Sequence, residues 1–170
     1  MPLLGNEGFL SQPTLEPGFL LDENISYRFA PALANATGND IKSVRCVWKD
    51  RDRLINPVQD EEIIRYLGEV ARDKGVWITA DWDARIAHAK LIMAERISVL
   101  WLHEPKGKGL RGIQELQLLS LVIEHVYDLV ATASSPVYLH TYLHGYRPRL
   151  ERLAGTLHDT KLNWEKVPLT

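Results

Sequence analysis

Short apolar runs alternate with segments of helical periodicity along most of the chain. Four runs are typical of buried strands, because they are short and dominated by leucine, β-branched and aromatic residues. These predicted strands cover residues 18–24, 41–48, 76–83 and 96–101. The first and third end in acidic residues. The second is interrupted by Lys42 and Arg45, which favours a position nearer a sheet edge.

Segments with apolar residues at helical spacing separate these strands. Helices are predicted from residue 24 or 26 to 36, over 61–71, from 83 to 92, and over 113–133. Strand and helix therefore alternate with short connections, which predicts a parallel sheet covered by helices on both faces. The predicted fold class is α/β, as a three-layer α/β/α sandwich with a mainly parallel central sheet.

The two ends of the chain depart from this pattern. Residues 1–17 hold three prolines and two glycines, and they are predicted to form a poorly ordered leader. Toward the other end, 137–142 alternates as a strand, 148–157 is predicted as a last helix, and 158–170 as a tail. We therefore expect one domain, over residues 18–157.

Composition adds several exclusions. The chain has 170 residues, of which 45% are hydrophobic and 25% charged, as in ordinary soluble domains, and its net charge of -2 decides nothing about nucleic acid. Its one cysteine, Cys46, excludes an internal disulfide and is predicted to be a buried thiol within the apolar run 44–48. Neither a membrane-length apolar run nor a secretory signal is present, so a cytoplasmic location fits best.

Acidic residues follow the third predicted strand in an Asp-x-Asp pattern, Asp81 and Asp83. Acids at the start of a helix commonly cap it or occupy its first turn, which is one interpretation. The other is part of a divalent-metal site, because ligands bind at the carboxyl ends of strands in open α/β sheets.

Two further acids occupy comparable places. Asp22 ends the first strand and Asp60, the candidate N-cap, begins the second helix. If strands one and three are neighbours, Asp22 and Asp81 end side by side. Crowded carboxylates repel one another unless a cation lies among them, and oxygen ligands without cysteine suit Mg²⁺ or Mn²⁺. His88 could approach this site, although a surface or packing role is the commoner one.

Two charged segments are candidates for contact with phosphate. Residues 49–56 form a charged loop, for which a solvated role is the default and contact with a phosphate backbone the alternative. Residues 103–112 form a basic, glycine-rich loop that lacks the spacing of a P-loop. In it, Lys106, Lys108 and Arg111 are candidates to bind phosphate oxygens of a substrate, against a plain flexible connection.

Three segments together resemble the PIN-like nucleases, in the branch of VapC-type toxins. They read Leu-Asp-Glu-Asn at residues 21–24, Gln-Asp-Glu-Glu-Ile-Ile at 59–64 and Gly-Val-Trp-Ile-Thr-Ala-Asp-Trp-Asp at 75–83. The resemblance extends over residues 18–102. Two departures are visible: Ala84 stands where the family commonly has Phe, and the segment after Trp101 is longer than in compact members.

The resemblance implies a metal-dependent endoribonuclease whose site is built from three or four acids. Asp22, Asp60 and Asp81 fall on the acid positions and Asp83 is the fourth, while the second position stays open between Asp60 and Glu61. It further implies an RNA substrate, Mg²⁺ or Mn²⁺ and an antitoxin protein as partner. A homodimer is also to be expected.

Three other classes of protein also fit part of this pattern of acids. A metal-dependent phosphatase of the haloacid-dehalogenase type also has Asp-x-Asp after a strand, but Asp83-Ala84-Arg85 lacks the Thr or Gly expected next. A receiver-type signalling domain would need a lysine at the end of a later strand, and none is clear. A PIN-like binding module without catalysis is the third. We predict the endoribonuclease, as the toxin of a toxin–antitoxin pair.

Overall fold

The computed structural model describes residues 16–103, 112–158 and 161–169, with no side-chain description at 157, 158, 161 and 162. The strands in these ranges are β1 (Gly18–Leu21), β2 (Asp40–Ser43), β3 (Gly75–Thr79), β4 (Ser98–Leu102), β5 (Tyr138–His144), β6 (Arg147–His158) and β7 (Lys161–Val167). The helices are α1 (Phe29–Thr37), α2 (Val44–Val47), α3 (Asp60–Val70), α4 (Ala84–Ala87), α5 (Ala89–Ala94) and α6 (Gly112–Thr132). None of these helices is long and apolar enough to cross a membrane.

All seven strands form one sheet in the order β2-β1-β3-β4-β5-β6-β7. The pairs from β2 to β5 are parallel, and β6 and β7 continue the sheet antiparallel. The chain therefore leaves β1 in one direction to reach β2 and crosses to its other side to reach β3. In such a doubly wound sheet, the crevice at the carboxyl ends of the two strands on either side of this reversal is where ligands bind.

Alternate side chains of the buried strands point into two separate cores. On one face Phe19 and Leu21 of β1 pack with α1 and α6, and on the other Leu20 packs with α3 and α5. Helices therefore cover both faces, as is required when a parallel sheet is buried on both sides. The predictions of an α/β fold and a mainly parallel sheet are confirmed, and the arrangement is compatible with three layers.

The prediction for the end of the chain is wrong. Residues 148–157, predicted as a helix, belong to β6, and 158–170, predicted as a tail, contain β7. Gly145, with φ of 63°, lies in the turn that returns the chain onto β5. Pairing with β5 then overrides local helix propensity, and Leu153 is buried on the α3 face of the sheet.

Two local predictions also need correction. The second strand ends at Ser43, whose hydroxyl accepts the Cys46 N–H at 3.3 Å and starts the short helix α2. As a consequence Cys46 is exposed and is not the buried thiol that we predicted. The predicted helix over 83–92 is divided at His88 into α4 and α5, and Ile86 of α4 is 62% exposed.

Candidate active site

The ends of β1 and β3 lie side by side at the reversal of the sheet. Leu21 pairs with Ile78, and the N–H of Asp22 donates to the Ile78 carbonyl at 2.9 Å. Asp22 and Thr79 are therefore neighbours, and Asp81 follows Thr79 by two residues. The prediction that Asp22 and Asp81 end side by side depended on strands one and three being neighbours. That adjacency of the two strands is confirmed.

A single buried hydroxyl, that of Thr79, connects the two strand ends. It donates to Asp22 Oδ2 at 2.6 Å and accepts from Asn24 Nδ2 at 3.2 Å and from the Asp81 N–H at 3.0 Å. Asn24 Oδ1 in turn accepts the Ala80 N–H at 3.1 Å. Thr79 and Asn24 thus position the acids, a role that we did not predict, although both stand within the segments that carry the family resemblance.

Asp22 is a buried carboxyl group with little to balance its charge. It is only 5% exposed, and this burial raises its pKa from 3.8 to about 6. The nearby carboxylates of Asp60 and Glu23 add to the increase, whereas hydrogen bonds from Thr79 and from the Glu23 N–H oppose it. A strongly raised pKa at a sheet edge is typical of a functional carboxylate.

Asp60 faces the same edge from the first residue of α3. Gln59 occupies the N-cap position, and its N–H donates to the Glu62 carboxylate at 3.0 Å, so the prediction of Asp60 as N-cap is wrong. The Asp60 carboxylate instead contacts His88, with Oδ2 3.3 Å from Nε2. Burial raises the pKa of Asp60, His88 lowers it and the Asp81 carboxylate raises it, which places Asp60 electrostatically between Asp22 and Asp81.

The positions of the Asp60 and Glu61 side chains distinguish the two candidates for the second acid, and both side chains contact His88. Glu61 Oε1 lies 3.5 Å from His88 Nδ1, and its side chain is 53% exposed. Asp60 is thus the acid that interacts with Asp22, and Glu61 lies farther out, on the other side of the imidazole. His88, for which a surface or packing role was the commoner expectation, contacts both acids.

Asp81 and Asp83 are both exposed and are linked locally. Asp81 Oδ1 accepts the Asp83 N–H at 2.9 Å, which forms a turn leading into α4. Asp83 occupies the N-cap position of α4, but its side chain makes no capping hydrogen bond within the described part of the chain. Asp60 therefore lies near enough to Asp22 and to Asp81 for their charges to interact, and Asp83 is linked to Asp81 through its backbone N–H.

The chemistry of these acids suits a divalent cation better than their present spacing does. Carboxylate oxygens are the ligands that Mg²⁺ and Mn²⁺ prefer, and two of the acids already show raised pKa values from burial and mutual repulsion. Across residues 16–103, 112–158 and 161–169, however, no three His, Cys, Asp or Glu side chains form a ready-made metal site. A cation at Asp60 would have to compete with His88 for the carboxylate.

A small cavity lined by both acids and arginines adjoins Asp22 on the β2 side. It has a volume of about 160 Å³, and Asp22, Glu23, Arg45 and Arg53 are among its lining residues. Arg53 pairs with Glu23 at 3.2 Å, yet its buried Nη2 lacks a hydrogen-bond partner among the described residues. The charged loop 49–56 thus contributes a cation beside the site. Lys106, Lys108 and Arg111, the predicted phosphate contacts, lie outside the described residues.

The raised pKa of Asp22 predicts how stability depends on pH. Because the folded chain holds this proton up to about pH 6 and the unfolded chain only to its usual value of 3.8, the contribution is fully present below that value. It should be lost as the pH rises to about 6, with a total near 3 kcal/mol at about 1.36 kcal/mol per unit. Urea unfolding without divalent cations should show this decline in the free energy of unfolding.

The Asp22→Asn variant isolates that contribution from those of all other groups. The difference in the free energy of unfolding between the two chains should change across this pH interval and be constant above it. A difference independent of pH would mean that Asp22 ionises normally in the folded chain.

Comparisons of the chain with models of known protein families, with curated proteins and with solved structures give no match.

Proposed function

We propose that the chain is a metal-dependent endoribonuclease whose active site lies between the ends of β1 and β3. The observation that carries the proposal is the placement of three acids from three separate elements at the reversal of a doubly wound sheet, with Asp60 interacting electrostatically with the other two. Asp22 directly follows β1, Asp81 follows β3 and Asp60 begins α3. Burial of Asp22 beside another carboxylate disfavours the ionised form of its side chain. A bound cation would stabilise that form, so the arrangement suits a cation site.

In this proposal Asp22, Asp81 and Asp60 hold Mg²⁺ or Mn²⁺. When bound, such an ion would supply an activated water and would stabilise negative charge on the phosphodiester. Thr79 keeps the Asp22 carboxylate in place through their 2.6 Å hydrogen bond. Arg53 and Arg45 neutralise the phosphate on the β2 side. Asp83, exposed at the start of α4, orients water at the rim.

The finer parts of the proposal rest on the resemblance to PIN-like nucleases. These are the PIN-like fold, RNA as the substrate, the role of toxin with an antitoxin protein as partner, and the cytoplasmic location. The positions that match the family are the same acids that approach one another at the sheet edge, which supports carrying them across together.

A binding module without catalysis is the second candidate. It is favoured by one observation, that the described acids and histidines do not form a group of three arranged around a common metal position. In that case His88 would hold Asp60 permanently, and Arg45 and Arg53 in the cavity beside Asp22 would bind an anion without cleaving it.

RNA cleavage by the full chain distinguishes the two. We expect assorted single-stranded RNAs to be cut with Mg²⁺ or Mn²⁺ and to remain intact with EDTA. Asp81→Asn should lower the rate about 100-fold or more, since metal-held charge stabilisation contributes several kcal/mol and each 1.36 kcal/mol is about tenfold.

The control is Asp128→Asn, an exposed carboxylate on α6, far along the chain from the acids, which should cut at the unaltered rate. Equal cleavage by Asp81→Asn and the unaltered chain would assign the activity to another site or to a contaminant. No cleavage under any condition, with RNA still bound, would favour the binding module.

A further inference from the structure

A large cleft opens on the α3 side of the sheet, next to the acids. Its volume is about 920 Å³, and it lies between α3, the α4–α5 segment and β7. Cationic, aromatic and apolar side chains line it together. They include Arg65, Trp82, Arg85, His88, Lys90 and Trp164.

Arg85 is a cation held in a fixed position in this cleft. Its guanidinium lies 4.3 Å from the centre of the Trp82 ring, a cation–π contact. Its carbonyl accepts the Trp164 indole N–H at 2.6 Å, which fixes the backbone as well. Its Nε is buried without a hydrogen-bond partner, and no carboxylate pairs with it in the part of the chain that the structure describes. Arg85 is thus preorganised to receive an anion.

The cleft carries more positive than negative charge. Arg65 and Lys90 line it with Arg85, while Glu61 is the one carboxylate that lines it among the described residues. Arg65 pairs with Glu95 at 3.4 Å, but its side chain is 66% exposed, and such surface pairs are weak. An incoming phosphate could therefore recruit all three cations.

His88 connects the cleft to the acids. It lines the cleft, and its Nε2 is 3.3 Å from Asp60 Oδ2. A polyanion in the cleft would therefore leave it directly beside the acidic site. Asp22 lines the cavity at Arg53, whereas His88, which contacts Asp60, lines this cleft, so the acids adjoin both.

We propose that this cleft binds a segment of single-stranded RNA on one side of the cleavage position. Arg65, Arg85 and Lys90 contact successive phosphates, and the guanidinium plane of Arg85 offers a surface on which a base can stack. The inference rests on the proposed function, because it assigns the cleft to the substrate of that site. An acidic peptide is the competing occupant. The aromatic side chains of Trp82 and Trp164 in the cleft, and its continuity with the acids, favour RNA.

The test is binding of a fluorescein-labelled oligouridine to the full chain in EDTA, so that binding is measured without cleavage. Arg85→Gln and Lys90→Gln should each raise Kd about 5- to 10-fold, and each should reduce the dependence of log K on log salt concentration by about 0.7 per lost phosphate contact. The matched control is Arg72→Gln, which removes one exposed cation beyond the other end of α3 and should leave Kd unchanged.

Cleavage kinetics separate failure of this inference from failure of the proposed function. If both hold, Arg85→Gln raises KM with little change in kcat, whereas Asp81→Asn lowers kcat. Oligouridine binding that responds equally to Arg85→Gln and Arg72→Gln overturns the cleft, even when Asp81→Asn abolishes cleavage. Weakened binding in Arg85→Gln without any cleavage by the unaltered chain supports the cleft and overturns the nuclease. Binding of poly-glutamate in place of oligouridine, lost in Arg85→Gln, overturns the RNA assignment.

Discussion

Replacing Asp22 with Asn should make the chain more stable without metal and remove its nuclease activity. The carboxylate is 5% exposed and its pKa is about 6, so its ionisation at pH 7 opposes folding by about 3 kcal/mol at about 1.36 kcal/mol per unit. An amide removes that charge but fits the Thr79 hydroxyl less well, which costs about 1 kcal/mol. The expected net gain is about 1–2 kcal/mol, with cleavage reduced about 100-fold or more.

Thermal unfolding with and without Mn²⁺ measures both consequences. The unaltered chain should gain stability with the ion, because a ligand that binds only the folded state stabilises it, whereas Asp22→Asn should gain none. Asp128→Asn, which neutralises an exposed acid on α6, should behave like the unaltered chain in both conditions. An Asp22→Asn variant that is less stable and still responds to Mn²⁺ would show that Asp22 is structural and does not bind the ion.

Replacing Thr79 with Val should weaken both the fold and the reaction. Val has nearly the same shape, but it removes a hydroxyl that contacts Asp22, Asn24 and the Asp81 N–H at 0% exposure. Leaving these groups with fewer partners should lower the free energy of unfolding by about 1–3 kcal/mol. A looser Asp22 should lower kcat about 10- to 100-fold, the range found when groups that orient metal ligands are removed.

The pH profile of the reaction distinguishes positioning from stability alone. The Thr79 hydrogen bond lowers the pKa of Asp22, so its loss in Thr79→Val should move the acidic limb of the rate profile to higher pH. Thr79→Ser keeps the hydroxyl and should restore both kcat and the profile, with only the loss of one buried methyl group. If Thr79→Val cleaves RNA as fast as the unaltered chain at every pH, the hydroxyl does not position the acids.

The local pattern of the sequence was sufficient to predict β1, β3 and β4 of the parallel half of the sheet, although not where β2 ends. The runs before Asp22 and Asp81 are short and apolar, and acids follow them. A buried strand that stops at a polar edge of the sheet accounts for both the apolar run and the acids. Alternation with helices then required parallel pairing. The rim position of Asp22 and Asp81 followed from this alone, before any contact between them was known.

Long-range pairing decided what the local pattern got wrong. The segment 148–157 has a local sequence compatible with a helix. It nevertheless pairs with the open edge of β5 after the turn at Gly145. The same extension brings Trp164 of β7 onto Trp101, with ring centroids 5.4 Å apart. Without β7 the cleft would lack a wall, and so no local reading of the chain could have found it.

The sequence by itself thus determined which acids reach the edge of the sheet, because strand ends and helix starts are local properties. Only the tertiary structure decided which of them meet. It placed His88 between Asp60 and Glu61, gave Thr79 three partners and left Asp83 outside the group. These outcomes depend on side-chain distances across β1, β3 and α3, and residues far apart in the chain acquire such distances only when the sheet is assembled.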